Sequence, residues 1–106
     1  KQAGIGIVIP VYNRERELRR TFDSVVAQTY RPIHVVLVDN GSTDGSLALC
    51  RELKGAYETD DFRITVVEEA KRGPSAARNR GLACVTEEFV AVSYTHLRAH
   101  ETPEHL

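Results

Sequence analysis

No stretch of this 106-residue chain approaches the ~20 consecutive apolar residues that a membrane-spanning helix needs. An excess of basic charge is also missing. The formal net charge is -1, too balanced for the electrostatic footprint of a nucleic-acid binder. Cysteine is scarce: Cys50 and Cys84 lie far apart, each in a stretch that reads as helical. Neither the framework of a secreted disulfide domain nor the close spacing of a metal site is present. They read as structural thiols, and a reducing, cytoplasmic setting follows. The opening KQAGIGIVIPVYN has no long apolar region of the signal-peptide kind and runs straight into a strand. The dinucleotide fingerprint is absent, because Gly4 and Gly6 precede the first strand instead of following it. No Walker lysine loop occurs, and neither Ser42 nor Ser75 stands in a hydrolase elbow.

What remains is an ordinary globular composition, with 42% hydrophobic and 27% charged residues. The length suits one small domain with one core. Ile5 to Pro10, IGIVIP, is rich in β-branched residues and predicts a buried strand. Leu18, Phe22, Val25 and Val26 follow at i, i+4, i+7 and i+8, one face of a helix. Asn13 is placed to cap that helix, Glu15 suits its first turn, and Pro32 closes the segment. Ile33 to Val38 is almost wholly apolar, the pattern of a parallel strand covered on both faces. A polar loop, Asp39 to Gly45, precedes a helix from Ser46 to about Leu53, with Leu47, Cys50 and Leu53 on one side. GAYETDD reads as loop and Phe62 to Val67 as a third strand. A third helix opens at Pro74, a residue favoured at the first helical position. Phe89 to Val92 reads as a fourth strand. The order βαβαβαβ implies a parallel sheet with helices on both faces.

In an open parallel sheet, ligands gather at the carboxyl ends of the strands. That rule points to Pro10–Asn13, to Asp39–Asp44 and to the loop before the third helix. In VDNGSTDGS, a carboxylate (Asp39) and an amide (Asn40) leave a buried strand together. Asn40 can donate and accept at once, which suits the edge of a base such as uracil or thymine. Gly41 permits a turn with positive φ. Ser42, Thr43 and Asp44 can hold the loop and cap the next helix. The same residues also make a plain αβ turn, so loop chemistry leaves both readings open. Tyr12 offers a ring for stacking, or packs as a rim aromatic. Arg78 is a planar donor suited to a pyrophosphate, or a surface arginine paired with an acid. Asn79 stands beside it, and Gly81 reads as close helix packing.

The blocks IVIPVYNRERELRRTFDSVVAQTYRPIHVVLVDNGSTDGS, GPSAARNRGL and EEFVAV, in this order, closely resemble the start of family 2 glycosyltransferases. The resemblance runs from about Ile5 to Val92. It implies a partial GT-A, Rossmann-like fold and a donor that is a UDP- or dTDP-linked sugar. It implies that Pro10, Tyr12, Asn13, Asp39 and Asn40 line the nucleoside pocket, and that Gly41, Ser42 and, in the helix block, Arg78 and Asn79 complete the nucleotide-sugar site. Asp39 and Asn40 stand where many members have two aspartates. The parent enzyme would be an inverting transferase, cytoplasmic or resting on the inner face of the membrane. Its fourth strand would run into an Asp-x-Asp motif holding Mg²⁺ or Mn²⁺, hard cations that prefer oxygen ligands and neutralise the departing diphosphate.

Here Tyr94 and His96 fill the two aspartate positions, and tyrosine is a poor ligand for Mg²⁺. The chain thus divides into a nucleotide-binding part, residues 1–92, and a non-family tail, residues 93–106. His96 and His100 lie at i and i+4 near Glu101 and Glu104, a spacing that on a helix can hold one metal ion. The plainer reading is a frayed, solvated terminus, and VSYTHLRAHET is also similar to translated sequencing-adapter DNA. The expectation is a donor-binding half without catalytic residues or a metal site, inactive alone. The alternative is a non-catalytic α/β binding or interaction module with a genuine histidine-containing tail. A third outcome is instability of the isolated chain through an unpaired sheet edge.

Overall fold

The computed structural model describes residues 4–87 and 89–92. Four strands and three helices alternate: β1 (Ile5–Val11), α1 (Glu15–Val26), β2 (Ile33–Asp39), α2 (Ser46–Tyr57), β3 (Phe62–Glu68), α3 (Pro74–Ala83) and β4 (Phe89–Val92). All pairings are parallel and the sheet order is β3-β2-β1-β4. The register places Val11 beside Asp39 and Asp39 beside Glu68. Three strands therefore end in one row, and the loops that follow them rise from the same edge. All seven residues of β2 are buried, as its continuous apolar run requires of a central parallel strand.

Alternation along the strands sorts the side chains onto two faces. Ile9, Val11, Val35, Leu37 and Ile64 meet Leu18, Phe22 and Val25 of α1 and Leu49, Cys50 and Leu53 of α2. Phe22 is the centre of this layer, 6.0 Å edge-on from Phe62 and 5.4 Å from Tyr57, spacings at which aromatic pairs attract. Burial pushes the Cys50 thiol up to about 12, with the charge of Asp39 adding to it, as befits a packing residue. Both cysteines are free. On the opposite face Val8, Val36, Val38 and Val92 meet Ala77 of α3. A β-carbon at Gly81 would lie 2.3 Å from Val8 Cγ1 and 3.1 Å from Val38 Cγ2. The helix reaches the sheet only because that position is glycine. No helix among the described residues is long and apolar enough to cross a membrane.

Several boundaries differ from the sequence expectation. The amino cap of α1 is Arg14, without a side-chain cap bond, and not Asn13. Asn13 turns its amide towards the β2–α2 loop instead. α1 ends at Val26, well before Pro32, and Arg31 folds back to donate to the Gln28 and Tyr30 carbonyls at 2.7 and 2.6 Å. α2 continues through Gly55 to Tyr57, because the Tyr57 ring has Phe22 to pack against. Its buried stripe is Leu49, Cys50 and Leu53, with Leu47 half-buried.

Two polar devices finish the sheet. On the α3 face, buried His34 places Nδ1 3.0 Å from Glu87 Oε1 and Nε2 2.7 Å from Thr65 Oγ1. Arg63 lies 3.7 Å from the other Glu87 oxygen. This ties the entry of β4 to β2 and β3. At the free edge of β3, Ile64 N–H donates to Glu58 Oε2 at 3.0 Å and its carbonyl accepts from Lys54 Nζ at 2.6 Å. Lys54 and Glu58 are themselves paired at 2.9 Å. Phe62, two residues earlier, exchanges both backbone bonds with Thr59. Exposed edges invite strand addition, and charged side chains are a common guard against it.

Two outcomes are expected. Gly55 has nothing within 4 Å of an added β-carbon, so Gly55→Ala should stabilise the chain by about 0.4–1 kcal/mol. Gly81→Ala should lower stability by about 1–3 kcal/mol through overpacking, less its gain in helix propensity. Urea midpoints at unchanged m-value decide both. Burial raises the carboxyl pKa of Glu87, but the hydrogen bond and charge of His34 carry it below its ordinary 4.5. A carboxylate with a lowered native pKa contributes stability that is present above the unfolded value and lost as pH falls through the native one. Glu87→Gln should therefore flatten the fall in stability below about pH 5, measured by urea melts across pH 3 to 6.

Candidate functional site

Three loops rise from the carboxyl row of the sheet, and their side chains hydrogen-bond to one another. Asn13 holds the first to the second. It adopts φ 48°, a left-handed conformation that asparagine tolerates better than most residues. From there its Oδ1 accepts from Thr43 N–H at 2.7 Å and Asp44 N–H at 3.2 Å. Its own N–H donates to Ser42 Oγ at 3.0 Å, and Arg14 N–H donates to Ser46 Oγ at 3.2 Å. Gly41 turns the second loop at φ 81°. Asp44 Oδ1 accepts from Ser46 N–H at 2.8 Å, closing the start of α2. Hydrogen bonding from the Ser46 side chain, first among several causes and aided by this backbone bond, draws the Asp44 carboxyl below its usual value.

Asp39 and Asn40 join the second loop to the third. Asp39 is 2% exposed. Its Oδ2 accepts from Ser42 N–H at 3.0 Å, while Oδ1 is the one buried side-chain polar atom among the described residues with no hydrogen-bond partner. A buried acceptor left unmade is costly. The Asp39 carbonyl accepts from Glu69 N–H at 2.9 Å and Asn40 N–H donates to the Val11 carbonyl at 2.8 Å. The Asn40 side chain, expected to face a base, faces inward to residues 69–73.

The third loop carries the residue that sequence reasoning missed. Arg72 lays its guanidinium 4.3 Å from the Tyr12 ring centroid and donates to the Tyr12 hydroxyl. Tyr12 is still 41% exposed. The loop itself had been singled out by its place in the sheet; the adjacent cations Lys71 and Arg72 just before Gly73 and Pro74 were the signal inside it. The structure therefore brings together Tyr12, Asn13, Asp39, Asn40, Gly41 and Ser42. Pro10 lies within β1, paired with Val38. Arg78, half-buried, and Asn79, exposed, stand further along α3, outside the interlock of residues 12–13, 39–44 and 69–73.

An open groove of about 620 Å³ runs beside Asn13, lined by Arg14, Glu15, Arg16, Glu17, Arg19 and Asp44. Its charges alternate in sign and none of its side chains is left buried without a partner, so it presents less to a ligand than Asp39 does. No three histidine, cysteine, aspartate or glutamate side chains converge among the described residues. The donor set around Asp39 and Asp44 does not fit a divalent cation, which takes about six oxygen ligands. Tyr94, His96, His100, Glu101 and Glu104 lie outside the described residues.

A parallel α/β sheet with helices on both faces and its loops gathered at the carboxyl row defines a Rossmann-like domain, and its structural neighbours are glycosyltransferases of the GT-A type. The mannosyltransferase of Pyrobaculum calidifontis, solved with GDP-Man and Mn²⁺, superposes with a TM-score of 0.80 at 28% identity, over 90% of this chain and 28% of that one. The profile of glycosyl transferase family 2 matches residues 6–97, and the chain belongs to that family. Glycosyltransferase GlyA of Streptococcus pneumoniae is 42% identical over 86 residues, 81% of this chain and 12% of that protein. The succinoglycan biosynthesis protein ExoW of Rhizobium meliloti is 36% identical over 105 residues, 98% of this chain and 32% of that protein. The chain thus spans a third or less of either relative. The family match extends five residues past Val92, and the ExoW match enters residues 93–106.

The interlock makes one stability prediction. Asn13→Ala removes the acceptor shared by Thr43 and Asp44 and leaves a β-carbon in the left-handed region, so it should cost about 1–3 kcal/mol. Asn13→Gly relieves the backbone part and should recover about 1 kcal/mol of that loss. Denaturant midpoints of the two variants give the comparison.

Proposed function

We propose that this chain forms the nucleoside end of the donor site of an inverting family 2 glycosyltransferase. The carrying observation is the Asp39 Oδ1 atom, buried, ionisable and without a partner. A carboxylate in that state calls for an N–H donor. Uracil and thymine present a ring N–H between two carbonyls; the corresponding ring nitrogen of cytosine accepts, and so does that of adenine. Tyr12 supplies the ring on which the base stacks. Arg72, already seated on Tyr12, is a planar donor for a base carbonyl beside that N–H. Arg78 and Asn79, on the helix that starts beside the same loop, are assigned to the pyrophosphate side. The structural neighbour bound to GDP-Man supports a nucleotide-sugar donor, and guanine also carries a ring N–H.

In the whole enzyme, an acceptor hydroxyl deprotonated by a carboxylate attacks the anomeric carbon and the nucleoside diphosphate leaves. The described residues supply neither that base nor a fitting metal site, so no step is assigned to them beyond holding and orienting the donor. The chain alone binds nucleotide and does not transfer sugar.

Titration calorimetry should show saturable binding of UDP and dTDP and none of CDP or ADP. Asp39→Ala should weaken UDP binding about 10- to 100-fold, the worth of a hydrogen bond to a charged group. Binding that ignores both the base and Asp39 would overturn the assignment. No nucleotide binding at all would favour the non-catalytic interaction module instead. Incubation with UDP- or dTDP-sugars, Mn²⁺ and acceptors should release no nucleoside diphosphate above buffer.

A further inference from the structure

Asn40 is 6% exposed and uses its amide fully within the chain. Nδ2 donates to the Glu69 carbonyl and to the Lys71 carbonyl, both at 2.8 Å. Oδ1 accepts from Gly73 N–H at 3.0 Å. A carboxamide has two N–H donors, and both are taken, so this side chain has no donor left for a ligand. Its three partners bracket Arg72 on either side. The loop they shape is unusual in its own right, because Gly73 sits at φ 118°, where L-residues are strained. Between those bonds, Arg72 projects onto Tyr12.

We infer that Asn40 is a positioning residue: its amide sets residues 69–73 so that Arg72 meets Tyr12, and it does not itself read the base. The use of that arrangement for nucleotide rests on the donor-site reading above. The geometry also says why this loop needs an amide. An aspartate at position 40 would set a carboxylate oxygen against the Glu69 and Lys71 carbonyls, turning two attractions into repulsions, while still accepting from Gly73.

The test is a double-mutant cycle on the full chain, which isolates the coupling between two positions. Asn40→Asp should weaken UDP binding about tenfold, the equivalent of one lost hydrogen bond of 1.4 kcal/mol. In an Arg72→Ala background the same change should weaken it no further. An equal loss in both backgrounds would mean that Asn40 contacts the base directly, and the inference fails. Gly73→Ala strains the same loop from its other end while keeping asparagine at position 40, and should show the same dependence on Arg72. This second variant decides the matter if Asn40→Asp folds poorly.

A ligand-free readout separates this inference from the donor-site reading. In the unliganded chain, NMR cross-peaks between the Arg72 guanidinium and the Tyr12 ring should be present in the parent and lost in Asn40→Asp and Gly73→Ala. If the parent binds no UDP yet the cross-peaks vanish in the variants, the nucleotide reading falls and the positioning role stands. If the cross-peaks persist in both variants, the positioning role falls whatever UDP does.

Discussion

The carboxylate at the end of the central strand is the constraint on which the rest of the site depends. Asp39 cannot move, because the strand behind it is buried along its whole length. Its backbone carbonyl holds the β3–α3 loop, and one side-chain oxygen holds the turn that follows. Asn40, the next residue, anchors to β1 through its N–H and to the third loop through its amide. Two adjacent residues therefore fix the second and third loops to each other and to the end of β1. The remaining Asp39 oxygen, left without a partner, is affordable because the surrounding bonds over-determine its place.

The packing beneath serves the same end. β1 and β2 are held between α1 with α2 on one face and α3 on the other, and α3 comes close through Gly81. That contact brings the start of α3, with Gly73 and Pro74, to the carboxyl row of the sheet. Away from the loops, His34, Thr65 and Glu87 tie β2, β3 and the entry of β4 through side chains. The sheet is thus pinned at its amino end by a buried polar cluster and at its carboxyl end by the loop interlock.

Much of the fold was legible from local pattern. The almost wholly apolar run Ile33 to Val38 marked β2, the i, i+4, i+7 spacing marked α1, and Pro74 marked the first turn of α3. Gly41 was legible as a positive-φ turn for want of any other residue that fits so easily. The parts that were not legible are long-range polar contacts. Asn13 looks like a helix cap from its neighbours alone, and becomes a bridge to residues 43 and 44 only once the strands are side by side. Asn40 looks like a base reader until its three backbone partners appear some thirty residues away. Arg72 is one cation in a polar loop until the register sets it over Tyr12. Periodicity reports burial; it carries no information about which distant backbone group a side-chain amide will find.

The guarded edge of β3 carries an implication for the order of events during folding. Both guards come from one element: Lys54 lies in α2 and Glu58 caps it. Ile64 is therefore shielded only after α2 has formed and docked. Before that moment its backbone groups are open to any extended segment, including the same segment of a neighbouring nascent chain. Afterwards, a visiting strand must displace an ammonium and a carboxylate to make its first bond. The safeguard is conditional in time: it protects the finished molecule and leaves the half-made one to speed alone.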